Sequence, residues 1–348
     1  MTGAPEAAAA GPDDLLAGYR QRASDEIERR LPRGEPREWL YEPLADYPRR
    51  TGKGLRAALC LAACAAHGGP EDDALAAAAA IELAHSAFLV HDDIQDGSDW
   101  RRGHPTLHRR VGLPLAVNAG DALAVLSLEV LRADTGRLGR RLGLQILTEF
   151  SSAMWQTLEG QAVELGWRRD GVTNLSPQDY LELILRKTCW YTTIAPLRIG
   201  ALIGSWGNAD LRALSRFGLF LGAAFQITDD ILNLTGGQAA YGKEIRGDLR
   251  EGKRTLMVIH LLSVAEPPLR DAVVDLLRGP EAGRTDDRLD WLADLLERYG
   301  SIAFAREFAR GVADAADAAF PAAFGTATRP EEAEVIRKLI GYVVERTR

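Results

Sequence analysis

Cysteine is scarce in this chain of 348 residues: Cys60, Cys64 and Cys189 are the whole complement. Three thiols cannot build a disulfide framework, and no Cys/His spacing suits zinc. Cys60 and Cys64 stand i, i+4 in an alanine-rich stretch and are expected to be core residues, not a redox pair. Such cysteines fit a reducing, cytoplasmic location. Basic residues are outnumbered, 42 Lys and Arg against 49 Asp and Glu, for a net charge of −7. That is the wrong sign for a nucleic-acid groove. No uninterrupted apolar run reaches the ~18 residues of a transmembrane segment, so none is expected. Residues 1–12, rich in Ala, Gly and Pro, lack the basic start and apolar run of a secretory signal. They are expected to form a disordered tail.

Strand alternation is absent as well. With 46% hydrophobic residues the chain can bury a large core. Its apolar positions recur every three or four residues in long Ala/Leu-rich segments, which predicts an all-α protein. Helices are expected over 13–31, 53–67, 73–97, 117–134, 138–168, 177–204, 208–235, 254–264, 269–278, 285–299, 301–318 and 330–346. Loops are expected at 102–116 and 236–252. Neither a short repeat nor an internal boundary divides 13–348, so a single helical bundle around a central cavity is expected.

Two aspartate clusters sit inside this apolar background: His91-Asp92-Asp93-Ile94-Gln95-Asp96 and Gln226-Ile227-Thr228-Asp229-Asp230-Ile231-Leu232-Asn233. Desolvating ionised aspartate is unfavourable without a partner, so facing clusters call for cations between them. Asp92 and Asp96 rise from one helical face, as do Asp229 and Asn233. Hard oxygen donors in this pattern suit Mg²⁺, which keeps water and binds substrate phosphate. Both clusters end their helices, where the dipole disfavours carboxylates further. Cations alternate with them: Lys53 and Arg56, Arg101 and Arg102, Arg186 and Lys187, and Lys243, Lys253 and Arg254. Arginine forks and lysine point charges are common phosphate ligands. Together they describe a pocket for a metal-complexed polyphosphate.

These residues resemble the trans-polyprenyl (isoprenyl) diphosphate synthase family, geranylgeranyl diphosphate synthases in particular. The resemblance rests on Gly52-Lys53 with Arg56, the first aspartate motif followed by Arg101-Arg102-Gly103, Lys187-Thr188, the Gln226-x-x-Asp229-Asp230 motif and the Gly247-to-Thr255 segment. It spans residues 50 to 260 in the family's order, and it implies the isoprenoid synthase helical bundle. It also implies condensation of isopentenyl diphosphate with an allylic diphosphate (dimethylallyl, geranyl or farnesyl), three Mg²⁺ ions and a homodimer formed through helices near 117–168. On that pattern Asp92, Asp96 and Asp229 would ligate metal, with Asp93 and Asp230 ligating or holding metal-bound water. Arg101, Lys187 and Lys253 would contact the allylic diphosphate. Lys53, Arg56, His85 and Arg102 would hold isopentenyl diphosphate, and Lys243 would close over the site. Thr188 and Gln226 would face the reacting carbons, with Trp190 and Tyr191 beside them. The released pyrophosphate would take the final proton, so no side-chain base is required.

The resemblance bears on product length too. In the family, a bulky aromatic five residues before the first aspartate closes the pocket early; here Ala87 holds that position, with Phe88 beside it. A small residue there favours a C20 product over C15 farnesyl or C25 geranylfarnesyl diphosphate. A class I terpene cyclase and a non-catalytic subunit of a heteromeric synthase are the competing functions. The intact second Asp-Asp motif and the set Lys53, Arg56 and Arg102 weigh against both.

Overall fold

The structure, a computed structural model, describes residues 12–50, 52–236 and 246–345. It is helical almost throughout, with α1 (Pro12–Arg30), α2 (Glu42–Arg49), α3 (Leu55–Ala66), α4 (Leu75–Gln95), α5 (Leu107–Val111), α6 (Leu113–Leu138), α7 (Arg140–Arg169) and α8 (Pro177–Ile184). A π-helical stretch, Leu185–Ile194, leads into α9 (Ala195–Gly204) and α10 (Leu211–Thr235). After the undescribed segment come α11 (Gly247–Glu251), α12 (Leu256–Val264), α13 (Pro267–Arg278), α14 (Asp286–Arg298), α15 (Ser301–Phe324) and α16 (Pro330–Glu345). The only strands among the described residues are Trp100–Arg101 and His104–Pro105, paired antiparallel.

Local chemistry explains the element ends. Ser176 and Asp179 cap α8 reciprocally: the Ser176 amide donates to the Asp179 carboxylate at 2.7 Å, and the Asp179 amide donates to the Ser176 hydroxyl at 3.3 Å. Asp210 opens α10 by accepting from the amides of Arg212 and Ala213 at 3.0 and 3.1 Å. The alanine run Ala76–Ala80 is wholly buried, which lets α4 pack between α3 and α6. Each leucine buried nearby, such as Leu61 and Leu83, contributes about 1.5–3 kcal/mol. Three buried apolar clusters make up the core of the bundle.

Several expectations need correction. The span 32–52, read as non-helical, holds a π turn at Arg37–Tyr41 and then α2, with Pro43 and Pro48 inside a helix that tolerates them near its two ends. The loop expected over 102–116 is a tight hairpin followed by α5 and the start of α6; Arg102 and Gly103 take φ of 53° and 75° at its turn. The 177–204 helix is interrupted by the π segment. Two helical stretches, Glu71–Gln95 and Leu113–Leu138, are long and apolar enough to cross a membrane by length and composition. The first is 72% buried inside the bundle. Residues 1–11, most of the expected tail, lie outside the described residues; Pro12 already begins α1.

Candidate active site

On α4 the positions 82, 85, 89 and 92 share one face, and Glu82, His85, Leu89 and Asp92 all line a cavity of about 680 Å³. Burial pushes the Asp92 carboxyl above its ordinary range, against the pull of Lys187. Asp96 caps the helix and accepts from Arg168 at 2.6 Å and Lys253 at 3.3 Å. Burial would raise it, but Lys253, Lys187 and Arg168 hold it well below the carboxylate range.

Asp93 faces the other way. It is fully buried, and both its oxygens are taken by the Arg101 guanidinium and the Tyr47 hydroxyl. With no oxygen left toward the cavity, its expected metal role gives way to an ion pair that anchors the hairpin after α4. Ala87 is likewise sealed in the core, and neither it nor Phe88 is among the residues lining the cavity. Phe88 instead meets Tyr191 edge-on, ring centroids 5.4 Å apart. Tyr191 does line the cavity, whereas Trp190 packs between two core clusters with Arg198 over its ring.

The second motif forms the opposite wall. Gln226, Asp229 and Asp230 line the same cavity from the last turns of α10. A hydrogen-bonded chain fixes them: the Thr188 hydroxyl donates to the Gln226 carbonyl at 3.0 Å, and the Gln226 amide donates to Asp230 at 2.6 Å. The Tyr180 hydroxyl donates to the other Asp230 oxygen at 2.7 Å. Burial, with Asp248 and Asp229 nearby, pushes the Asp230 carboxyl up to about 8 despite those donors. Asn233 is buried, and its side-chain carbonyl accepts from the Asp248 amide at 3.1 Å, so it anchors the chain leading to α11.

Between the acidic walls lie the cations. Lys187 pairs with Glu164; burial lowers its pKa, but Glu164 and Asp92 outweigh that and raise it. Lys253 reaches Asp96, Asp248 at 3.1 Å and Glu251, and those acids hold it protonated. Lys53, Arg56, His85, Arg101 and Arg102 line the same cavity. Arg56 donates to Thr192 at 2.9 Å and lies 4.5 Å over the Tyr191 ring. Arg102 is pushed down to about 10 by burial and by Arg101, and it donates to the Arg50 carbonyl at 2.7 Å. Lys243 lies outside the described residues.

Sequence spacing missed Glu164, Tyr180 and Arg168, which pair with motif residues from other helices, and it gave Asp248 of the Gly247-to-Thr255 segment no role of its own. The available signal was helical phase: Gly160 and Glu164 are one turn apart, facing Lys187. The cavity's acids are all hard oxygen donors, and among the described residues no three His, Cys, Asp or Glu side chains converge to hold an ion unaided. Buried carboxyls pushed upward, with cations set for phosphate, fit divalent ions completed by water and diphosphate.

A polyprenyl synthetase family profile matches residues 37–294. The geranylgeranyl diphosphate synthase of Sulfolobus acidocaldarius is 36% identical over 260 residues, covering 75% of this chain and 77% of the relative. The geranylfarnesyl diphosphate synthase of Natronomonas pharaonis is 32% identical over 313 residues, covering 85% and 88%. A polyprenyl synthase from Caulobacter crescentus, crystallised with calcium and isoprenyl diphosphate, superposes with a TM-score of 0.85 at 26% identity, covering 99% of this chain and 100% of that one.

Proposed function

The chain belongs to the polyprenyl synthetase family, and from that premise we propose that it condenses isopentenyl diphosphate with dimethylallyl, geranyl or farnesyl diphosphate, releasing linear geranylgeranyl diphosphate. One observation carries this most directly: Asp92 on α4 and Asp229 with Asp230 on α10 line one cavity with two sets of cations, Lys187 with Lys253 and Lys53 with Arg56 and Arg102. A cyclase has no need of that second cationic set, and a non-catalytic subunit has no need of either.

Divalent metal, Mg²⁺ in our proposal and three ions per site, would be held by Asp92, Asp96, Asp229 and Asp230. Bound there, it would neutralise the charge that builds on departing pyrophosphate. Lys187 and Lys253 share that work as fixed cations, kept charged by Glu164, Asp96, Asp248 and Glu251. The Thr188 hydroxyl and Gln226 carbonyl are oriented by the chain ending on Asp230, which sets their dipoles before a carbocation forms. Lys53, Arg56, His85 and Arg102 hold the second diphosphate and present its double bond. Arg101 keeps its proposed place at the allylic diphosphate, braced by Asp93, and Lys243 is proposed to close over the site.

Product length rests on the relatives and not on Ala87, which the fold seals away from the cavity. The geranylfarnesyl relative supports C25 as the second reading. Residues 13–348 are proposed as one domain. We propose a homodimer through α6 and α7, whose Leu113, Val125, Leu128, Leu144, Trp155 and Leu158 are exposed. The three buried thiols suit a reducing cytoplasm.

The test is the product profile of purified protein given isopentenyl diphosphate and each allylic diphosphate, with Mg²⁺ or with EDTA. A Mg²⁺-dependent linear C20 diphosphate is expected. A C15 or C25 product would overturn the length alone, and a cyclised hydrocarbon formed without isopentenyl diphosphate uptake would overturn the reaction.

A further inference from the structure

Residues 37–294 match the family, and every site residue above falls among them. Helix α1 lies before that segment, yet its Arg20 lines the cavity beside Gly52, Lys53, Gly54 and Arg102. Gly54 explains how. It caps α3 in the left-handed region (φ 69°, ψ 21°), and a Cβ there would sit 2.8 Å from the Arg20 Cβ and 3.2 Å from its Cα. Bare backbone lets α1 lie flush on the Gly52–Arg56 segment, so the Arg20 stem crosses Gly54.

The other arginines of α1 are spoken for. Arg22 pairs with Glu71 and Asp72, and Arg29 and Arg30 pair with Glu26. Arg20 makes no hydrogen bond or ion pair with any described residue, although it is half-buried at a polar cavity wall. A second, smaller cavity of about 290 Å³ lies beneath the same place, lined by Arg20, Gly52, Gly54, Glu82, His85 and Arg102. Arg20, Lys53, Arg56 and Arg102 thus share the cavity wall with Glu82, which accepts from the Ala57 amide at 3.2 Å, while Asp25 and Glu28 also line the smaller cavity. An arginine on that wall without a carboxylate of its own suits an anionic ligand, and a guanidinium fork fits phosphate oxygens.

We propose that Arg20 is an additional cation of the isopentenyl diphosphate subsite, delivered by α1 from outside the family-matched segment and admitted by the missing side chain of Gly54. This rests on the functional reading above and deepens it. Motif spacing could not reveal it, because Arg20 reaches the cavity only through helix packing.

The test is calorimetric binding of isopentenyl diphosphate, without an allylic partner so that no turnover occurs, to wild type, Arg20→Met and Arg20→Lys. Binding of geranyl diphosphate with Mg²⁺ is the control. Methionine keeps an unbranched stem over Gly54 and removes the charge, so melting temperature should hold. Arg20→Met is expected to weaken isopentenyl diphosphate about tenfold, as befits a charge-assisted hydrogen bond, and to leave geranyl diphosphate unchanged. Arg20→Lys should recover most of the loss, and KM for isopentenyl diphosphate should rise with kcat held. Unchanged affinity in Arg20→Met, or an equal loss for both ligands, would overturn the proposal. If wild type itself binds no isopentenyl diphosphate, the functional reading falls and this proposal falls with it; wild-type binding that Arg20→Met leaves untouched sinks the Arg20 assignment alone.

Discussion

Asp92→Asn and Asp93→Asn should fail in opposite ways, though the two residues are adjacent. Asp93 is fully buried against Arg101, itself 6% exposed, and against the Tyr47 hydroxyl. Neutralising it leaves the Arg101 guanidinium charged and unpaired in the core. Removing one partner of a buried pair costs about 3–5 kcal/mol, or roughly two to three and a half decades in the folded-to-unfolded ratio. For a chain of this size that lowers the melting temperature by on the order of 10 °C. Asp92 faces the cavity, and burial already disfavours its ionised form, so Asp92→Asn should unfold no earlier than wild type. It should instead lose turnover by ~10²–10³, because it would remove one of the oxygen ligands holding the metal that neutralises the departing pyrophosphate. Urea or thermal unfolding of metal-free protein, paired with product formation, reads both. If Asp93→Asn unfolds with wild type while Asp92→Asn unfolds early, the division of roles is wrong.

Stability should also depend on pH in a particular direction. The folded Asp230 carboxyl is raised from 3.8 to about 8, so its contribution is full below about pH 4 and is lost as pH rises toward 8. Asp96 and Glu164, held low in the fold, lose theirs only as pH falls below the ordinary carboxylate range. Metal-free protein should therefore melt lower at about pH 8 than at about pH 5, and Asp230→Asn should flatten that decline; a decline equally steep in the variant would refute the assignment. A Cβ at Gly160 would sit 2.6 Å from the Lys187 Cα, so Gly160→Ala should displace that lysine and cut kcat by about 10²-fold, with unchanged kcat refuting the coupling. Val125→Glu with Leu128→Glu should leave a monomer in light scattering, and an unchanged mass would remove α6 from the proposed interface.

The helices that carry the chemistry were legible because α4 and α10 combine an apolar period with carboxylates that the period cannot absorb. Their motif residues needed no tertiary knowledge to be noticed. What spacing could not reveal was which side of a helix a neighbour covers. Asp92 and Asp93 differ by one residue and about 100° of helix, so one meets the cavity and the other meets Arg101. Ala87 lies in the core for the same reason: five residues before Asp92, it sits on another face of α4. Helix α2, which supplies Tyr47, was hidden by prolines that sit near the ends of their helix.

The π segment Leu185–Ile194 carries a different lesson, about length. A π turn closes each hydrogen bond one residue later than an α turn and behaves as an absorbed insertion. Here ten residues wind that way, with Lys187 and Thr188 among them and ordinary helix on either side. Most buried helices tolerate exchange of residues but keep their register when one is swapped for another. In this one, residue count is itself a functional variable. Deleting a single position would let the segment relax toward α winding, with its flanks kept in register and the residues between them turned against their neighbours. Lys187 or Thr188 would then leave its partner, without any side chain having changed chemistry. Grafts and loop-trimming designs on this bundle must therefore conserve the length between Ile184 and Ala195 as strictly as they conserve the aspartates.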